Sequence, residues 1–198
     1  MRSILLGIAA IALPLALAAG PADAQRSRSA LSQAEAQAAV AAPGRPADRV
    51  ALDEVRRPAE MLAFMGLRRG DRLLDWFARS GYYTALLARA VGPEGRVIAW
   101  NPPRMGANPQ TRAALEAIRE RQSQVAFYST PTTALAYPSA SFDAVMMHLV
   151  YHDAYFESAQ FQLPRIDPNT VTRAIYDALR PGGVVLVIDH VGPAGGDP

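Results

Sequence analysis

From position 72 onward, short runs of consecutive apolar residues alternate with longer segments in which apolar residues recur at every third or fourth place. The first pattern marks strands covered on both faces, and the second marks amphipathic helices. Residues 73–76 (LLDW) predict a strand, 78–81 (ARSG) a small-residue turn, and 82–91 (YYTALLARAV) a helix stopped by Gly92 and Pro93. Residues 96–100 (RVIAW) predict a second strand, so the unit closes as βαβ with a parallel pair. A helix is expected over 111–121, with Ala114, Leu115 and Ile118 on one face, then a third strand over 125–128. Residues 129–141, rich in proline and hydroxyls, read as a loop before the fourth strand at 142–147 (FDAVMM). The helix over 171–179 ends at Arg180-Pro181-Gly182-Gly183, and the apolar run 184–189 is a fifth strand. Strands alternating with helices in this way place the chain in the α/β class. Ligands of open α/β sheets bind at the carboxyl ends of the strands, so Asp75 to Gly81 is the expected place for a small molecule.

Upstream the pattern changes twice. Residues 1–24 have a basic start at Arg2, an apolar core from Ile4 to Leu17, and Ala22-Asp23-Ala24 as a cleavage signature, which reads as a signal peptide with a mature start at Gln25. The expected location is periplasmic or secreted, with no membrane attachment after cleavage, because the apolar run is shorter than the about 20 residues of a membrane span. Residues 25–47, rich in Ala, Gln, Ser and Arg, read as a flexible linker or frayed helix, and 48–198 as a single domain. Within it, Val50, Leu52, Val55, Met61, Leu62, Phe64 and Met65 recur at helical spacing, with Pro58 opening a new helix.

Composition removes several classes of chemistry. The chain has no cysteine, hence no disulfide, lipobox thiol or thiolate nucleophile. Its 20 basic residues are all arginine, which excludes a lysine Schiff base and a P-loop lysine. A net charge of +2 with scattered arginines argues against a nucleic-acid surface, and the expected partner is the small-molecule substrate placed at the strand ends. Oligomeric state is not encoded in any of these features.

The segment RLLDWFARSGYYT, together with SFDAVMM and the LRPGG turn before the fifth strand, resembles class I S-adenosylmethionine-dependent methyltransferases, in particular a group of exported bacterial members with a GYYT segment. The resemblance runs from about position 48 to the end. It implies a Rossmann-like sheet in the order 3-2-1-4-5 and S-adenosylmethionine as cofactor. On the matching positions it implies that Asp75 and Gly81, the acidic residue and last glycine of the first turn, hold the cofactor, with Tyr83 beside them and Asn101 at the ribose. The chain departs from the pattern at Phe77 and Arg79, which stand where the family has two further glycines, and at Asn101, which stands where it has an acid. No acid follows the third strand either, and Ser129 and Thr130 are the nearest polar substitutes.

The chain has 3 histidines, and all follow predicted strands: His148 and His152 the fourth, His190 the fifth. An imidazole near its ordinary pKa of about 6.5 suits proton removal from an acceptor hydroxyl or amine. His148, His152 and Asp153 are therefore the candidate catalytic set, with Asp153 or Asp189 orienting the base. Other readings stay open. His148 and His152, spaced i and i+4, could bind a metal with Asp153 or His190. Ser80 on its strand-to-helix turn could be a hydrolase nucleophile with His190. A non-catalytic binding protein would account for Phe77, Arg79 and Asn101.

Overall fold

The structure is a computed structural model that describes residues 29–160 and 164–192; the expected signal peptide lies outside the described residues. Five parallel strands, β1 (Arg72–Trp76), β2 (Arg96–Asn101), β3 (Val125–Ser129), β4 (Phe142–His148) and β5 (Leu179–Ile188), form one sheet in the order β3-β2-β1-β4-β5. The sheet reverses direction of growth at β1, which pairs with β2 on one side and β4 on the other. Such a switch point leaves a crevice between the loops that leave β1 and β4, and both candidate clusters come from loops around it.

Successive residues of β1 feed opposite layers. Leu73 packs with Leu62, Leu67, Leu86, Leu87 and Val97 on one face, while Leu74 and Trp76 pack with Trp100, Val145, Val171 and Ile175 on the other. The first layer is built by α1 (Gln33–Ala41), α2 (Ala47–Val50), α3 (Asp53–Arg56), α4 (Pro58–Phe64) and α5 (Tyr82–Val91), with α6 (Pro103–Ala107) leading into α7 (Pro109–Arg121); α1, α4, α5 and α7 supply its buried side chains, while Met105 of α6 packs against the second layer. α8 (Pro168–Ala178) covers the second face. Burial of both faces explains the unbroken apolar runs of β1, β2 and β4, whereas the apolar run of β5 is not covered on both faces: Val184, Val185 and Val187 are 44%, 40% and 45% exposed.

The segment expected as a linker over 25–47 is part of the folded body from Leu31 onward. Ser32 and Glu35 form a capping box that starts α1, and Leu31, Ala36 and Ala39 are buried. The Leu31 amide donates to the Leu67 carbonyl at 2.7 Å, and Arg89 of α5 donates to the carbonyls of Ala42 and Pro43 at 2.6 and 2.7 Å. These bonds anchor both ends of α1 to the domain. The RPGG segment expected as a turn lies inside β5, where pairing jumps from Phe142 opposite Leu179 to Ala144 opposite Val184. The extra residues form a bulge in which Gly182 takes φ +79°. Arg180 of that bulge pairs with Asp143 at 2.9 Å, and the same carboxylate accepts the Arg72 amide at 2.7 Å. The amino ends of β1, β4 and β5 are thereby tied together, and the carboxyl ends are left for chemistry.

Candidate functional site

The turn between β1 and α5 takes left-handed backbone at three alternating residues, Phe77 (φ 59°), Arg79 (φ 53°) and Gly81 (φ 82°). Only glycine adopts this conformation without cost; for other L-residues it costs roughly 1–2 kcal/mol each. Two neighbours hold the costly residues in place. The Phe77 ring, 4% exposed, sits edge-on against Trp76 and Trp100 at 4.6 and 5.0 Å. The Arg79 amide donates to Asn101 Oδ1 at 2.8 Å, while Asn101 Nδ2 donates to the Arg79 carbonyl at 3.0 Å. Gly81 answers a different demand: a Cβ there would lie 2.5 Å from Ile118 Cδ1 and 3.0 Å from Leu115 Cδ2 of α7. The glycine lets α5 and α7 close together.

Asp75 stands at the mouth of this turn, 4% exposed, and accepts the Thr84 hydroxyl on Oδ2 at 2.6 Å. Burial pushes its carboxyl up to about 7, against the opposing pull of the Thr84 hydroxyl and amide. Beside it, Tyr83 donates from its hydroxyl to the Arg56 carbonyl at 3.1 Å and places its ring 4.8 Å from His148. Tyr82 donates to Asp53 at 2.7 Å with the Arg56 guanidinium 4.3 Å above its ring. Asp53 in turn pairs with Arg45, so α3 is braced over the turn. His148 is half-buried, and burial, with the nearby Arg56 and Arg79 charges, lowers its ring to about 4; the imidazole is neutral at physiological pH. Asp75, Tyr83 and His148 line a cavity of about 90 Å³ together with Arg49, Arg56 and Arg79.

His152 lies elsewhere. After β4 the chain bends at Leu149, φ 54°, and enters a 3-10 turn, Tyr151–Ala154. His148 and His152 therefore do not share a helical face, and the expected i, i+4 pair is not assembled. The His152 amide donates to Asp189 Oδ2 at 2.9 Å and its Nδ1 lies 2.7 Å from Asp189 Oδ1. Its Nε2 is 3.5 Å from Asp153 Oδ1, and the His190 ring centroid is 5.4 Å away. Partial burial would raise the Asp189 carboxyl, but the His152 and His190 amides and the His152 ring outweigh it, and the net shift is downward. Asp153 shifts upward because burial exceeds the attraction of His152 and Arg79.

Of the residues singled out from sequence, Asp75, Tyr83 and His148 meet in one cavity, and His152 and Asp153 meet beside Asp189. Asn101 is 1% exposed and turned to the Arg79 backbone, and Gly81 is turned to α7. The Thr130 hydroxyl accepts the Trp100 indole N–H at 2.8 Å. The histidine rings face Tyr83, Asp189, Asp153 and one another, so Ser80 is not coupled to a base as a hydrolase would require. Two features escaped the sequence reading. One is the left-handed backbone at Phe77 and Arg79; its signal was the two-residue step from Phe77 to Arg79 to Gly81. The other is the Thr84–Asp75 bond, which places a helix hydroxyl on the strand carboxylate and had no sequence signal beyond Thr84's position in the first turn.

A model of the methyltransferase domain family matches residues 75–187. The chain is 28% identical over 131 residues to the ubiquinone/menaquinone biosynthesis C-methyltransferase UbiE of Pasteurella multocida, covering 65% of this chain and 43% of that protein. It is likewise 28% identical over 131 residues to the same enzyme of Pectobacterium carotovorum, covering 65% and 46%. The chain thus spans less than half the length of these relatives. Among solved structures it is similar to a SAM-dependent methyltransferase from Aquifex aeolicus, with a TM-score of 0.55, 20% identity and 79% of each chain covered. At that identity the likeness concerns the fold.

Two predictions follow from the strained turn and the buried carboxylate. Arg79→Gly removes an exposed side chain from a left-handed position and is expected to leave stability unchanged or raise it by about 1 kcal/mol, whereas Phe77→Gly loses a buried ring and should cost about 3 kcal/mol. Urea denaturation checks this, and equal losses in both variants would contradict it. The Asp75 carboxyl is raised in the folded state from 3.8 to about 7, so its proton is held more tightly folded than unfolded. The stabilisation from that proton is complete below the unfolded value and is lost as pH rises through about 7. Asp75→Asn keeps an acceptor for Thr84 without the titration, so its melting temperature should gain on the wild type between pH 4 and pH 7. A gap that does not change with pH would show that Asp75 does not titrate in this range.

Proposed function

The chain belongs to the methyltransferase domain family, and from that premise we propose that it transfers a methyl group to a small acceptor bound near His152. S-adenosylmethionine is the cofactor this membership implies, and it supplies an electrophilic methyl group on a sulfonium centre. The donor set around the β1–α5 turn fits its amino-acid end. Asp75 offers a carboxylate for an ammonium group, and Arg49, Arg56 and Arg79 offer guanidiniums for a carboxylate, all on one cavity. That matched pair of charges is the observation that carries the reading. Gly81 and the Asn101 bonds keep the turn's backbone in the shape that the family builds from alternating glycines. Asn101 is committed to that task, so the ribose grip that the family takes from an acid is not reproduced by this side chain. Tyr83 contributes a ring to the same wall.

On the acceptor side, the proposed base is His152. Asp189 accepts its Nδ1–H, which leaves Nε2 with the lone pair that takes a proton from an acceptor hydroxyl or amine. Asp153, beside Nε2, is placed to accept a hydrogen bond from the protonated ring. His148 remains neutral and contributes its ring, against Tyr83, to the wall of the Asp75 cavity.

Calorimetric titration of the folded chain with S-adenosylmethionine, and separately with its demethylated product, is expected to show micromolar binding. Asp75→Ala should weaken it about ten-fold or more, since a charge-assisted hydrogen bond is lost. Absence of binding at millimolar ligand overturns the reading. We also propose that the chain is one of the exported members with the GYYT segment, supported by Arg2, the apolar run from Ile4 to Leu17 and Ala22-Asp23-Ala24. Mass spectrometry of the chain produced in a bacterium should then find a periplasmic protein beginning at Gln25; a cytosolic protein that retains its leader would contradict export.

A further inference from the structure

We infer that His152, Asp189 and His190 form a binding site for a divalent transition metal ion. One ligand atom from each of the three lies within 4.8 Å of the others. Donors on one zinc-sized ion, each about 2.0–2.2 Å from it, sit roughly 3–3.5 Å apart. The His152 Nδ1 to Asp189 Oδ1 separation of 2.7 Å is already that short, and the remaining approach is a rotation of the exposed His190 side chain.

The site is partly built before any ion arrives. Asp189 is held by the amides of His152 and His190, at 2.9 and 2.8 Å, which fixes its carboxylate between the two rings. When Nδ1 of His152 ligates, its proton is on Nε2, and Asp153 Oδ1 stands 3.5 Å from that nitrogen. A ligating imidazole whose other nitrogen faces a carboxylate is the usual outer arrangement of a metal-bound histidine, and it fixes the tautomer and the ring orientation. As the ion takes the place of the proton that Nδ1 shares with Asp189 in the free chain, the ring takes up a proton at Nε2, so the neutral imidazole changes tautomer without net proton release.

Two imidazoles and one carboxylate select the kind of ion. This set suits zinc, cobalt or nickel, whereas magnesium and calcium take oxygen ligands throughout. The chain has no cysteine and 3 histidines, so this cluster gathers two of the three imidazoles available for such an ion. His152 and His190 are exposed, and three protein ligands leave at least one coordination position open to water or an anionic oxygen of a small molecule. The site does not depend on methyl transfer. An ion bound there makes His152 a ligand, so metal occupancy and proton transfer by His152 exclude each other.

The test uses the whole chain without an added histidine tag, titrated with zinc chloride in a calorimeter and with cobalt chloride by visible absorption. One ion per chain is expected, with the d–d bands of four- or five-coordinate cobalt. His190→Ala and His152→Ala should each weaken binding at least about ten-fold, and Asp153→Asn, acting on the outer side of the His152 ring, by about ten-fold with the cobalt spectrum shifted. His148→Ala, whose ring faces Tyr83, should bind as the wild type does. Circular dichroism confirms that the variants are folded. No binding by the folded wild-type chain at millimolar zinc or cobalt, or binding undiminished in the His152→Ala/His190→Ala double variant, overturns the inference. Neither result bears on S-adenosylmethionine binding, which is read in a separate titration.

Discussion

The side chain of Asn101 holds the rest of the site in shape. It leaves the carboxyl end of β2 and grips the backbone of Arg79 through both its carbonyl and its amide, across 22 residues of sequence. Without glycine at Phe77 and Arg79, the turn would relax toward ordinary φ and its amides and carbonyls would point elsewhere. The clamp and the Phe77 ring, edge-on to two stacked tryptophans, supply the restraint that these non-glycine residues need. Two non-glycine left-handed residues held at one strand-to-helix turn are local strain that the surrounding packing must offset. A carboxylate at position 101 would have lacked the donor that the Arg79 carbonyl requires, so the amide suits this turn better than the acid the family pattern predicts.

The same turn decides the electrostatics around it. Asp75 is nearly removed from water and has one side-chain partner, Thr84, so its charge is costly until a cation comes within reach. The guanidiniums nearby stay charged, and at His148 burial first and then Arg56 and Arg79 keep the ring neutral. A zwitterion placed across this cavity neutralises both deficits at once. Bracing of α3 over the turn by Arg45, Asp53 and Tyr82 keeps Arg56 in position to take part.

Much of the architecture was legible because it rests on local periodicity. The βαβ unit and the strand runs announce themselves as blocks of LLDW, RVIAW and FDAVMM between turn residues, and the sheet order is the one their resemblance implies. What was not legible depends on partners far away in sequence. Residues 31–41 look like a tether because alanine and glutamine leave little contrast between helix faces; burial there comes from Leu31 meeting Leu67 and from Arg89 reaching back to Ala42. The RPGG segment reads as a turn, yet Arg180 pairs with Asp143 and turns it into a bulge of β5. Position 101 was legible as a site near the ribose, but its orientation toward Arg79 was not, since an amide and an acid occupy the same place and differ only in which backbone groups they can satisfy.

At the carboxyl end of β4 the two histidines four residues apart are sent to opposite tasks. Leu149 takes a left-handed φ while its amide bonds to Ile188 at 2.7 Å, so the bend is fixed against β5 before the 3-10 turn begins. A helical continuation would have stacked His152 above His148 among the arginines. The bend instead puts His148 beside Arg56 and Arg79, where a proton on its ring would add like charge, and puts His152 between Asp189 and Asp153, with a carboxylate at each ring nitrogen. The sorting follows charge: the cavity on the β1 side is supplied with fixed guanidinium groups, while the β5 side gathers carboxylates and imidazoles. Five parallel strands bring both sides to one edge, and the backbone at Leu149 keeps them from mixing.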